Sequence, residues 1–163
     1  MAKAYLSLGS NQDAERHLAQ ALDELRQRFG AIIVSQFYRT AAIGFAGPDF
    51  VNGAVILDTE LEPIALDAWL HALEDAHGRQ RDQPRFSSRP LDLDIVFFDD
   101  RVLTGPGHLQ IPRPELQHAF VLRPLAEIAP DFRDPLSQRT LAELWAAHPE
   151  FASVARAVIL SNG

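Results

Sequence analysis

The chain of 163 residues has no cysteine, which excludes disulfides, thiolate metal centres and cysteine nucleophiles together. Lys3 is its only lysine, so Schiff-base chemistry and the lysine of a phosphate-binding P-loop are nearly excluded as well. Anions must instead be met by arginine forks, backbone amides or metal ions. No stretch approaches the roughly 18 consecutive apolar residues of a membrane span. Met1 to Tyr5 runs directly into strand-like sequence without an apolar leader, and the expected location is cytoplasmic. A formal charge of −7 argues against nucleic-acid binding by bulk electrostatics.

What the chain does have is apolar residues, 47% of the total, enough to bury one core, and a single domain over residues 1–163 is expected. Ala4 to Leu8 reads as a strand closed by Gly9, Ser10 and Asn11. Leu18, Leu22, Leu25 and Phe29 then recur at helical spacing, and Gly30 supplies the stop. Ile32 to Tyr38 and Val51 to Thr59 return to strand composition around a loop, Ala41 to Pro48. Pro63 opens a second helix with the stripe Leu66, Trp69, Leu70 and Leu73, ending at Gly78. The order β-α-β-β-α-β, completed by a strand at Leu91 to Phe98, predicts an α+β split-βαβ fold. It has an antiparallel sheet with helices packed on one face. A proline-rich turn at Pro112 to Pro114 and helices near Val121 and from Thr140 to His148 form a C-terminal extension.

The segment Leu91-Asp92-Leu93-Asp94-Ile95 carries the chemistry. The period of a strand puts both carboxylates on one face and the three aliphatics on the other. Aspartate is disfavoured in strands, and two like charges on one face repel unless a cation lies between them. Magnesium held by one or two carboxylates plus substrate phosphates meets that need; an exposed face on which Asp92 and Asp94 pair with arginines is the structural alternative. Arg79, Arg81, Arg85 and Arg89 precede the pair on a polar loop, offering donors suited to phosphate oxygens or simply a solvated face. Glu74 lies in the last turn of its helix, against the dipole, and either contacts a ligand or pairs with Arg79.

Six blocks, read in order, resemble the hydroxymethyl-dihydropterin pyrophosphokinases of folate biosynthesis. They are Leu6-Ser7-Leu8-Gly9-Ser10-Asn11, Phe37-Tyr38-Arg39-Thr40, Asp49-Phe50-Val51-Asn52, Gly78-Arg79-Gln80-Arg81, Arg89-Pro90-Leu91-Asp92-Leu93-Asp94-Ile95, and the run from Phe120 to Pro130. The resemblance implies a ferredoxin-like fold and a diphosphotransferase. The pterin hydroxyl would attack the β-phosphorus of ATP, releasing AMP. It implies that Asp92 and Asp94 bind two Mg²⁺ ions, with Arg79, Arg81 and Arg89 assisting catalysis. The pterin would lie between Phe50 and Phe120, read by Asn52 with Thr40, Ala42 and Ile43. ATP would meet His71, Glu74, Arg81, Arg85, Phe86, Arg89, Ile95, Pro112 and Arg113. A monomer acting only on small molecules, with no nucleic-acid or membrane partner, is implied.

The chain departs from the family pattern at several places. Phe86-Ser87-Ser88-Arg89 stands where Trp-Gly-Pro-Arg is usual, so the indole donor is lost. Arg113 and Pro114 replace a histidine and its neighbour, and His118 stands in place of an arginine. These changes lie on the nucleotide side and leave the aspartates and the aromatic pair untouched. A paralogue that binds pterin or nucleotide without turnover is the alternative the sequence leaves open.

Overall fold

The computed structural model describes residues 1–40, 49–78 and 90–160. Its main sheet is built from β1 (Ala2–Ser10), β2 (Ile33–Val34), β3 (Phe37–Thr40), β4 (Phe50–Thr59), β5 (Asp92–Phe98) and β8 (Arg156–Val158). The strands run in the order β5-β1-β4-β3-β8, with β2 also paired to β4, and every pairing is antiparallel. β1 and β4 therefore lie in the middle, and β5 forms an edge. A small second sheet pairs β6 (Leu103–Thr104) with β7 (Gln110–Ile111).

Helices α1 (Ala14–Phe29) and α2 (Pro63–Ala76) cross one face of the sheet. Leu18, Leu22 and Leu25 of α1 and Leu66, Leu70 and Leu73 of α2 share a core with Leu6, Leu8, Val55, Leu57, Leu93 and Ile95. Each such side chain contributes about 1.5–3 kcal/mol by leaving water. The helix ends follow local chemistry. Gly30 adopts φ 83° and its N–H returns to the carbonyl of Arg26, while Pro63 occupies the first turn of α2, where no N–H is needed.

The expectation of helices on one face describes α1 and α2, but the extension adds a second layer. Helices α3 (Ala119–Ile128) and α4 (Leu141–Ala146) cover part of the opposite face. There Val121, Leu122, Leu125 and Leu141 bury Tyr5, Ala54, Ile56, Val96 and Phe97. The strand expected from Ile32 to Tyr38 is split at Ser35, which bonds Ala54 through its backbone N–H and again through its hydroxyl, at 3.0 and 2.8 Å. The hydroxyl takes the place of a backbone acceptor and interrupts the ladder. β8 was not anticipated, because a strand of three residues is too short to display alternation.

A chain of hydrogen bonds fastens α1 to the end of α2. His17 Nδ1 lies 2.7 Å from His77 Nδ1, and His77 Nε2 lies 3.1 Å from Glu24 Oε2. Arg16 can only donate to His17 Nε2, at 3.4 Å. One proton arrangement satisfies all three contacts: His17 donates from Nδ1 to His77, which donates from Nε2 to Glu24. Both rings are then neutral. Burial first, then the proximity of His77 and Arg16, push the His17 pKa down, against the weaker pull of Asp13. A histidine held below its unfolded value contributes stability that is present above that value and lost as pH falls through the folded one. Thermal stability should therefore decline as pH falls below 6.5. His17→Gln should flatten that decline while costing about 1 kcal/mol at neutral pH through the broken hydrogen bond. Melting curves between neutral and mildly acidic pH check both; an unchanged slope in the variant would exclude His17 as its source.

Candidate active site

Alternation along the strands divides the sheet between its two faces. Leu91, Leu93 and Ile95 point into the α1/α2 core, all at most 1% exposed, so Asp92 and Asp94 point to the other side. On β4 the same rule puts Val51 and Val55 in the α1/α2 core and sends Asn52 to the aspartates' face, with Ala54 and Ile56 under α3 and α4. Phe50 is in phase with Asn52. The second face is thus apolar at the end that α3 and α4 cover, and polar at the other.

Register aligns that polar end into rows. Gly9 on the central β1 is opposite Asn52 on one side and Asp92 on the other, and Asn52 is opposite Tyr38 on β3. One step toward the end that α3 and α4 cover, Ser7 is opposite Asp94, and one step the other way Thr40 is opposite Phe50. Residues directly opposite share a face and stand about 5 Å apart, so the amide of Asn52 and the carboxylate of Asp92 are separated by the width of one glycine. The glycine is required by space. A Cβ on Gly9 would stand 2.5 Å from Asn52 Oδ1, well inside contact distance, so the buried Asn52 side chain lies over the bare backbone of β1.

β5 is pinned from the edge by Glu74. This carboxylate is 1% exposed, and its Oε2 accepts the N–H of Leu93 at 2.6 Å. The bond lands on the residue between the two aspartates, where an edge strand has no neighbouring strand to satisfy the amide. The sequence left Glu74 between a ligand contact and a pair with Arg79. A missed signal was its place four residues after Leu70, on the buried stripe of α2.

Asp94 lies among negative groups. Burial by surrounding protein, then the charges of Asp92, Glu74 and Glu115, push its carboxyl well above the ordinary value, and Arg113 alone opposes them. Arg113 Nη2 stands 3.1 Å from Asp94 Oδ1. Arg113 follows the turn after β7, and its backbone N–H donates to Val96 O of β5 at 3.1 Å. The adjacent Pro112 is buried.

The remaining expected residues separate by position. Phe120, in the first turn of α3, is half-buried at the border of the covered region, and His118 stacks on it with ring centroids 5.0 Å apart and planes 8° apart. Ile95 is enclosed in the core, so only its backbone faces outward. His71 is exposed on α2, 3.6 Å from Asp67. Ala42, Ile43, Arg79, Arg81, Arg85, Phe86 and Arg89 lie outside the described residues.

An antiparallel split-βαβ sheet with two helices on one face defines a protein of the ferredoxin-like class. The sequence pattern of the family described as 7,8-dihydro-6-hydroxymethylpterin-pyrophosphokinase matches residues 5–130, and the chain belongs to that family of ATP-dependent diphosphotransferases of folate biosynthesis. The chain is 42% identical to the 2-amino-4-hydroxy-6-hydroxymethyldihydropteridine pyrophosphokinase of Pseudomonas aeruginosa, over 90% of this chain and 92% of the relative. It is 45% identical to the Synechocystis enzyme of the same name, over 68% of this chain and 56% of the relative. Among solved structures, wild-type HPPK-DHPS of Plasmodium falciparum superposes with a TM-score of 0.69 and 15% identity, covering 89% of this chain. The chain spans 44% of that longer protein, and the likeness concerns the fold.

Replacing Glu74 by leucine should leave the Leu93 amide buried without an acceptor. That should cost roughly 1–3 kcal/mol. Glu74→Gln, which keeps an acceptor oxygen, should lose less. Denaturant unfolding and hydrogen exchange at Leu93 measure this, and equal losses in the two variants would show that the pin does not depend on an acceptor.

Proposed function

We propose that the chain transfers diphosphate from ATP to 6-hydroxymethyl-7,8-dihydropterin, on the polar end of the sheet's second face. The observation that carries this reading is the cross-strand row in which Asp92, Gly9 and Asn52 stand side by side. It brings a group suited to metal-bound phosphate next to a group suited to the polar edge of a heterocycle.

Asn52 offers both a donor and an acceptor, and its burial against Gly9 fixes which way they point. Phe50 and Phe120 supply flat apolar surfaces for the bicyclic ring, and Thr40, Ala42 and Ile43 adjoin them in sequence or register. This orients the hydroxymethyl group toward Asp92 and Asp94. The hydroxyl oxygen attacks the β-phosphorus, the bond from that phosphorus to the α-phosphate oxygen breaks, AMP leaves, and the hydroxyl proton passes to solvent or a phosphate oxygen. Arg79, Arg81, Arg85, Arg89 and Arg113 stabilise the charge on the phosphates, and Glu74 serves the site by holding β5.

The residues present fit magnesium. Two carboxylates on one strand face match its preference for oxygen, and water and phosphate complete the shell. Among the described residues there is no cluster of three metal-ligating side chains that could hold an ion alone. Two Mg²⁺ ions held by Asp92 and Asp94 would neutralise the transferring phosphates. We further propose a single domain acting as a monomer in the cytoplasm. No helix among the described residues is long and apolar enough to cross a membrane.

Product analysis after incubation with Mg-ATP and the hydroxymethyl-dihydropterin tests the reaction. Pterin-dependent AMP is expected; ADP, or no product despite retained binding of both substrates, would overturn the assignment. A second prediction concerns the pocket floor. Gly9→Ala should displace Asn52 and weaken pterin binding about tenfold or more, the scale of one lost buried hydrogen-bonding group, with ATP binding retained. Calorimetric titration with each ligand separately decides it, and unchanged pterin affinity would remove Asn52 from the proposed pocket.

A further inference from the structure

Arg113 occupies a peculiar position. It is the one cationic partner of Asp94 among the described residues, at 3.1 Å, with the two side chains 19% and 25% exposed. On its other side, Arg113 Nε lies 3.4 Å from Glu115 Oε2. Both of those atoms are buried and neither makes a hydrogen bond. One guanidinium is therefore shared by two carboxylates, held by charge while a buried donor and a buried acceptor go unmet. The main chain of Arg113 is fastened elsewhere, through its N–H to Val96 O on β5. The side chain can therefore turn away from Asp94 without moving the strand or the turn that carries it.

We propose that Arg113 is the resident counter-cation of Asp94. In the free protein it neutralises that carboxylate and holds it in place. When a divalent cation reaches Asp94, the guanidinium leaves and is free to meet a phosphate oxygen of the nucleotide. Two cations at contact distance from Asp94 Oδ1, the oxygen Arg113 meets, repel strongly, so a divalent cation that takes that oxygen displaces the guanidinium. Arg113 is in this sense a positioning residue that acts through Asp94. The inference rests on the assignment of Asp94 as a metal ligand.

The consequence runs against the ordinary effect of deleting a residue from a site: loss of Arg113 should improve binding of the bare cation. The probe is Mn²⁺ alone, without nucleotide, titrated into the full chain at neutral pH and followed by the electron paramagnetic resonance of the free ion. Arg113→Gln should bind Mn²⁺ about two- to fivefold more tightly than the unaltered protein, the scale of a partly exposed ion pair. Asp94→Asn should bind it more weakly. Arg113→His, measured at pH about 8 where the imidazole is neutral, repeats the test should Arg113→Gln fail to fold, as judged by its melting curve. Affinity in the arginine variant that equals or falls below that of the unaltered protein overturns the inference. If Asp94→Asn still weakens binding, only the role of Arg113 has failed. If Asp94→Asn binds Mn²⁺ as the unaltered protein does, the metal assignment itself has failed, and the inference with it.

Discussion

Within three consecutive residues, β5 must bury one side chain completely and present its two neighbours to the substrate side. Leu93 is 0% exposed in the α1/α2 core, and the flanking Asp92 and Asp94 are half-buried on the opposite face. This is possible only if the strand holds its register, because a slip of one residue would drive both carboxylates into the hydrocarbon core. β5 is an edge strand, with a neighbouring strand on one side only, so β1 cannot fix it alone. Glu74 supplies the second constraint by accepting the Leu93 N–H from the helix side. The positions of Asp92 and Asp94 depend on this pair of restraints, and the rest of the site is arranged around them.

The electrostatics follow from the same geometry. Carboxylates brought together by a sheet cannot relax apart as they would on a loop. Burial raises the cost of ionising Asp94, and Arg113 relieves part of it. These carboxylates gather on the part of the sheet's second face that α3 and α4 do not line. Elsewhere on that face the same alternation points Tyr5, Ala54, Ile56 and Val96 into an apolar cover.

The departures from the family pattern are intelligible in these terms. Arg113 and His118 both stand where the family uses another basic side chain, and both have found local partners. Arg113 is seated between Asp94 and Glu115, and the imidazole of His118 lies flat against Phe120. A planar cation and a planar ring can occupy such places while keeping polar atoms available. Both side chains are therefore seated on neighbours within the chain itself.

Much of this was legible without coordinates. The alternation through Leu91 to Ile95 assigns the aspartates to one face, since strand geometry has a period of two whatever surrounds it. The stripes at Leu18 to Phe29 and Leu66 to Leu73 likewise determine two amphipathic helices, and the ordered blocks from Leu6 to Pro130 point to the family. Tertiary structure decided what depends on contacts between residues distant in the chain. Local pattern could not say that Glu74 bonds the Leu93 amide, that Gly9 is bare because Asn52 lies over it, or that Arg113 rests on Asp94. Nor could it place α3 and α4 on the second face, or add β8 to the sheet edge. Periodicity records which way a side chain points relative to its neighbours in sequence; the partner it meets is determined only when separate elements pack.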